Sequence, residues 1–256
     1  MDDRMPVVFL GHGSPMNAIE NNEYTAQWEA LGRALPRPRA ILCVSAHWYT
    51  QGTRVTDAPQ PRMVYDMFGF PEELYRVQYP ALGAPGVARE ALALLGDRAV
   101  LDNTWGLDHG AWSVLRRLFP EADVPVFQVS VDRTGDGAAM LALGQALAPL
   151  REQGVLLLGS GNVVHNLHRV DWNHRSGLPW ADRFDALVRR KVEEGRFADL
   201  ADPALLGEDY SLAVPTPDHY WPLLAVLGAV TPGERVEVLC EGRVLGSLSM
   251  TGYRFG

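Results

Sequence analysis

Apolar residues in this chain alternate between two arrangements: short continuous runs that stop at a glycine, an alanine or a histidine, and longer stretches in which they recur every three or four positions. The first arrangement reads as buried strands and the second as amphipathic helices. Val7-Val8-Phe9-Leu10 is such a run and ends in Gly11-His12-Gly13-Ser14-Pro15. Residues 24–35 follow with Tyr24, Trp28, Leu31 and Leu35 on one helical face, stopped by Pro36 and Pro38. Residues 40–45 form a second apolar run that gives out at Ala46-His47-Trp48. The pattern then predicts a helix over 86–95, a short strand over 99–101 and a helix over 113–119. Next come a strand over 124–131, a helix over 138–153 broken at Pro149, and the most apolar strand, Val155-Leu156-Leu157-Leu158. That strand runs into Gly159-Ser160-Gly161-Asn162-Val163-Val164-His165-Asn166. A helix within 175–194 buries Phe184, Leu187, Val188 and Val192, a helix spans 223–230, and a closing hairpin pairs 236–239 with 244–250.

Strands alternating with helices predict an α/β fold: a single domain, residues 1–256, whose mostly parallel or mixed central sheet is covered by helices on both faces. Residues 53–80 do not fit either period. Tyr65, Phe68, Phe70, Tyr75 and Tyr79 are spaced there among proline and glycine breaks, so the segment reads as a lid or pocket wall, or else as a cluster packed on a sheet edge.

Composition narrows the partners. The 256 residues are 47% hydrophobic and 21% charged, with a formal net charge of -8 and no basic run, which argues against binding nucleic acid or an anionic membrane. The two cysteines, Cys43 and Cys240, suggest no disulfide framework. Met1-Asp2-Asp3-Arg4 lacks a signal pattern and no apolar stretch approaches membrane-spanning length, so the expected setting is cytoplasmic.

The candidate chemistry is carried by histidine. In a sheet of this kind ligands bind beyond the carboxyl ends of the strands. His12, His47 and His165 follow strand ends, and His109 and His219 sit on loops that lead into helices, so five of seven histidines are expected on one rim. Imidazoles gathered there suit a divalent metal. His168 and His174, in polar surroundings, are expected to face solvent. Ser160 lacks the Gly-x-Ser-x-Gly elbow of a serine nucleophile, and Gly159-Ser160-Gly161-Asn162 lacks the glycines and lysine of a nucleotide loop.

Six segments together resemble a known family: Gly11-His12-Gly13-Ser14-Pro15, Ser45-Ala46-His47-Trp48, the run from Asp66 to Tyr75, Gly106-Leu107-Asp108-His109-Gly110-Ala111-Trp112, Gly159 to Asn166, and Pro217-Asp218-His219-Tyr220. They are similar, in order and over nearly the whole chain, to the 4,5-DOPA dioxygenase extradiol group of the class III (LigB-type) extradiol ring-cleavage dioxygenases. The resemblance implies a LigB-like fold of phosphorylase/hydrolase-like architecture and one divalent metal per chain. The substrates it implies are a small aromatic diol such as DOPA, together with O2. It further implies that His12, His47 and His219 are metal ligands, that His165 is at or beside the metal as ligand or acid/base, and that His109 is an acid/base facing the substrate. Ring-cleaving iron sites usually carry two histidines and a carboxylate; here the third position reads as His219, with Asp218 adjacent. Fe(II) is expected for oxygenase activity, and Zn(II), which has no redox chemistry, is the other candidate. A zinc-dependent hydrolase on the same scaffold, or a non-catalytic metal-binding protein, are the alternative readings.

Overall fold

The computed structural model describes residues 4–256, so Met1 to Asp3 of the N-terminal segment read above lie outside the described residues. The apolar runs form the strands expected of them. β1 (Val7–Gly11), β2 (Ala40–Ser45), β3 (Val126–Gln128) and β4 (Val155–Gly161) are joined by β5 (Val236–Leu239) and β6 (Gly252–Phe255) in one six-stranded sheet of order β3-β2-β4-β1-β6-β5. The first four strands of that order run parallel, and β6 is antiparallel to both β1 and β5. The sheet is therefore mixed.

Both faces are buried, which explains why the central strands read as continuous apolar runs rather than alternating ones. Val7, Phe9, Leu42, Val44, Val155 and Leu157 pack on one side. They meet α2 (Pro85–Leu95), α4 (Gly137–Leu147), α5 (Pro179–Glu193) and α6 (Trp221–Gly228). Val8, Leu10, Ile41, Cys43, Leu156 and Leu158 face the other side, against α1 (Glu23–Ala34) and α3 (His109–Leu118). Cys43 and Cys240 are both free and buried. Among the described residues no helix is long and apolar enough to cross a membrane.

Register decides where the loops emerge. Gly11 of β1 pairs with Gly161 of β4, and Ser45 of β2 pairs with Ser160, so three strands end level with one another.

Four expectations are corrected. The strand over 124–131 is two pieces, β3 and a short strand Val131–Asp132 that leaves the sheet to pair with Tyr49–Thr50. The helix expected over 113–119 begins at His109, because Asp108 caps it. The helix over 138–153 gives way to a 3-10 turn at Ala148–Gln153, one residue before Pro149. The closing hairpin is paired differently: β5 takes Gly252–Phe255 as its partner, and 240–251 is a connection that carries its own small ribbon, Arg243–Val244 with Leu248–Ser249. The reason lies in Gly252. A Cβ there would stand 2.8 Å from the Phe9 carbonyl oxygen, so glycine is what lets β6 lie against β1.

Candidate metal centre

His12 is set at the level strand ends by the ladder itself: its backbone N–H donates to the Gly161 carbonyl at 3.0 Å. Gly13 beside it has φ +58°, a conformation that favours glycine, and a Cβ on Gly11 would stand 2.6 Å from the Ser249 carbonyl oxygen. His47 follows β2 in the same way. His109 opens α3, so its backbone N–H is among those a helix leaves without an internal partner. His165 is fixed by a backbone bond to the Ala213 carbonyl at 2.9 Å and a bridge to Leu248, and His219 by its carbonyl, which accepts the Asn162 N–H at 2.8 Å.

The five imidazoles meet. His12 Nε2 and His47 Nε2 are 3.1 Å apart. Ring centroids of His12 and His47 lie 5.2 and 5.0 Å from that of His219, His47 and His109 are 3.8 Å apart, and His165 stacks on His219 at 3.5 Å. The tightest group is His12, His47 and His109, whose donor atoms all lie within 4.8 Å of one another. His219, expected with His12 and His47, stands against this trio with His165 behind it. His168 is exposed and His174 stands apart beside Ser176.

What holds the rings decides which nitrogen is available. Ser160, fully buried, gives its hydroxyl proton to the Gly110 carbonyl at 2.5 Å, so the same oxygen must accept from His12 Nδ1 at 3.0 Å. Asp66 Oδ2 lies 3.1 Å from His47 Nδ1, and Asp218 accepts from His219 Nδ1. In each case the proton is drawn to Nδ1 and the Nε2 lone pair is left free. His12 Nε2 and His47 Nε2 thus lie 3.1 Å apart, close enough to share one proton or to turn together onto one cation.

Electrostatics sets His47 apart from the other four rings. Burial, reinforced by the neighbouring rings, holds His12 and His219 well below the ordinary imidazole range, and burial brings His165 down to about 4. Burial and His47 lower His109. His47 goes the other way: burial opposes its charged form, but the hydrogen bond to Asp66 and the nearby carboxylates outweigh it. Burial alone would raise Asp66, and the two imidazoles beside it hold it well below the usual carboxylate range instead. The three rings whose Nδ1 faces an acceptor, His12, His47 and His219, are a donor set suited to a borderline divalent ion such as Zn(II) or Fe(II).

The aromatic segment is fastened as a wall. Tyr65 donates to the Val77 carbonyl at 2.7 Å, and its ring lies 6.0 Å from that of Trp112, itself 6.5 Å from His109. Tyr79 belongs to the core, donating to the Phe119 carbonyl, and Phe68 is 92% exposed at the tip.

Sequence reasoning missed the acceptors. In the sequence Ser160 reads as a candidate nucleophile or part of a nucleotide loop, Asp66 as part of a motif, and Asp218 as a neighbour of a ligand with no contact of its own. Asp108 was equally silent, though it is fully buried and takes bonds from Ser45, Trp105 and Gln128. Polar residues inside apolar surroundings were the available signal.

Comparison with known proteins bears on the same residues. Residues 6–256 match the family model described as the catalytic LigB subunit of aromatic ring-opening dioxygenase. The chain is 45% identical to a protein of Escherichia coli K12 named 4,5-DOPA dioxygenase extradiol, over 99% of this chain and 95% of the other. It is 34% identical to a Beta vulgaris protein of the same name, over 99% and 97% respectively. A crystal structure of an uncharacterized Escherichia coli K12 protein superposes with a TM-score of 0.86 at 42% identity, covering 99% of this chain and all of that one.

Proposed function

The chain belongs to the LigB family of catalytic subunits of aromatic ring-opening dioxygenases, and from that membership we propose that it opens the ring of a DOPA-like catechol with O2, beside the hydroxyl pair, as a metal-dependent extradiol dioxygenase. Residues 6–256 match the family as one stretch, in keeping with a single catalytic unit. The two free, buried cysteines accord with a reducing, cytoplasmic setting.

One observation carries the reading: the Nε2 atoms of His12 and His47 converge at 3.1 Å, with Ser160 and Asp66 against their Nδ1 atoms. His12, His47 and His219 would hold the metal, each oriented by its own acceptor. A bound Fe(II) supplies a common meeting point for the catechol oxygens and O2, whereas Zn(II) supplies Lewis acidity alone. His109, buried, and His165, half-buried, both held below the ordinary imidazole range, are the groups able to take a proton from a catechol hydroxyl and return it later. Tyr65 and Trp112 wall the approach to His109 and exclude water from the reacting ring.

A second ligand set has its own observation. His12, His47 and His109 form the tightest donor group, so His109 is the alternative third ligand.

Metal-stripped protein reloaded without air with Fe(II) or Zn(II) tests the activity: Fe(II) protein takes up O2 and forms coloured ring-fission product with DOPA or simple catechols, and Zn(II) protein does not. No uptake across that panel would sink the dioxygenase reading. In the same preparation His12→Ala and His47→Ala abolish metal binding, while His109→Ala retains metal and slows turnover roughly 100-fold or more. Equal metal loss in all three variants would make His109 a ligand.

A further inference from the structure

One carboxylate touches two of the five imidazoles. Asp66 Oδ2 lies 3.1 Å from His47 Nδ1. Its Oδ1 accepts the His109 backbone N–H at 2.9 Å and lies 3.0 Å from His109 Nδ1, a close contact that is not aligned as a hydrogen bond. The two rings it touches come from different elements, one from the end of β2 and one from the first turn of α3. Their centroids are nevertheless only 3.8 Å apart, so whatever holds one sets the position of the other.

Asp66 is itself held. The strand-like stretch before it is stitched to the loop that enters α3: the Val64 N–H donates to the Leu107 carbonyl at 2.7 Å, and Trp112 Nε1 donates to the Val64 carbonyl at 3.0 Å. The carboxylate is thus carried on the same scaffold as His109 and reaches across to His47. Its side chain is 14% exposed, so these contacts are made largely out of water.

Resting on the dioxygenase reading above, we infer that Asp66 is a positioning residue that orients the ligand His47 and the acid/base His109 together, so that metal affinity and turnover both depend on this one side chain. A group that orients a ligand imidazole through its second nitrogen changes metal affinity without touching the metal. The two contacts differ in what they require. The His109 backbone N–H needs only an acceptor oxygen, which an amide also offers. His47 Nδ1–H needs an acceptor on the second branch, where asparagine would present a donor. Asp66→Asn therefore removes the His47 contact and leaves the His109 backbone bond available.

The experiment measures Zn(II) affinity of full-length Asp66→Asn by competition with a chromophoric chelator and no substrate present. Affinity should fall about 10- to 100-fold. With Fe(II) saturating, Asp66→Ala, which removes the acceptor for the His109 N–H as well, should lower kcat on the catechol about tenfold or more with a smaller change in KM, and Asp66→Glu should recover part of both losses. Parent-like metal affinity in Asp66→Asn overturns the inference for His47, and parent-like kcat of Asp66→Ala at saturating metal overturns it for His109. If Asp66→Asn does not fold, nitrogen-15 spectra of the Zn(II)-loaded parent protein decide the matter: His47 should carry its proton on Nδ1, and a proton on Nε2 overturns the inference. Failure of the parent to consume O2 would count against the dioxygenase reading alone, because the affinity and tautomer measurements involve no substrate.

Discussion

Ser160 has one proton, and it is donated to the Gly110 carbonyl; the orientation of the His12 ring follows from that allocation. Ser160→Ala removes the acceptor for His12 Nδ1–H and the donor for a buried carbonyl, so the folded state should lose about 1–3 kcal/mol, read by denaturant unfolding. Zn(II) affinity should fall about tenfold in the same variant, since the imidazole is no longer locked with Nε2 forward; unchanged affinity would show that the ring is oriented by packing alone. The histidines were legible in the sequence because their residue type is rare at strand ends and chemically specific. The acceptors were not, because serine and aspartate occur everywhere, and only proximity separates Ser160 from any other serine in a glycine-rich turn. Asp218 makes the point from the other side: adjacent to His219 in the chain, it still needed a structure to show its carboxylate turned onto that ring.

The first turn of α3 shows how an element is displaced by a single polar contact. Periodicity places the start of this helix at Ser113, but Asp108 accepts the Ala111 N–H and draws the first turn back to His109. Its carboxylate also accepts from Ser45 at 2.6 Å, Trp105 at 2.9 Å and Gln128 at 3.1 Å, tying the helix to β2 and β3. Asp108→Ala should therefore cost about 2–4 kcal/mol, more than an exposed cap, and should be visible as a lower urea midpoint with unchanged slope. A loss under 1 kcal/mol would mean that packing, rather than the cap, sets where α3 begins. The chain's closing segment makes a related point. Residues 244–250 read as a strand because they are apolar, yet they cross over the strand ends and hold the His165 loop, with the Ser249 N–H on the Val164 carbonyl at 2.9 Å and the Asn166 N–H on the Ser247 carbonyl at 3.1 Å.

For the whole molecule, the metal and the proton compete for one cluster. Divalent metal at about 100 times its Kd should add about 2.7 kcal/mol, or about 5–10 °C in the unfolding midpoint of a chain this size, reversed by a chelator. In metal-free protein His12, His109, His165 and His219 are held below the ordinary imidazole value, so the unfolded chain binds protons that the folded chain refuses. Their combined contribution is intact above about pH 6.5 and is lost as the pH falls toward 4, with His47 alone opposing the trend. Thermal midpoints recorded from pH 7.5 to 4.5 should drop more steeply without metal than with it; parallel curves would contradict this. Which residues are buried and which follow a strand were determined by the sequence alone, since burial of apolar runs on both faces of a sheet leaves a local, periodic mark. That five imidazoles share one rim followed from the same pattern. The way they face, the serine and aspartates that turn them, and the pairing of the last strand were decided only in the tertiary structure, because those contacts join residues as far apart as His12 and Ser160 or Val7 and Phe255 and leave no mark on local pattern.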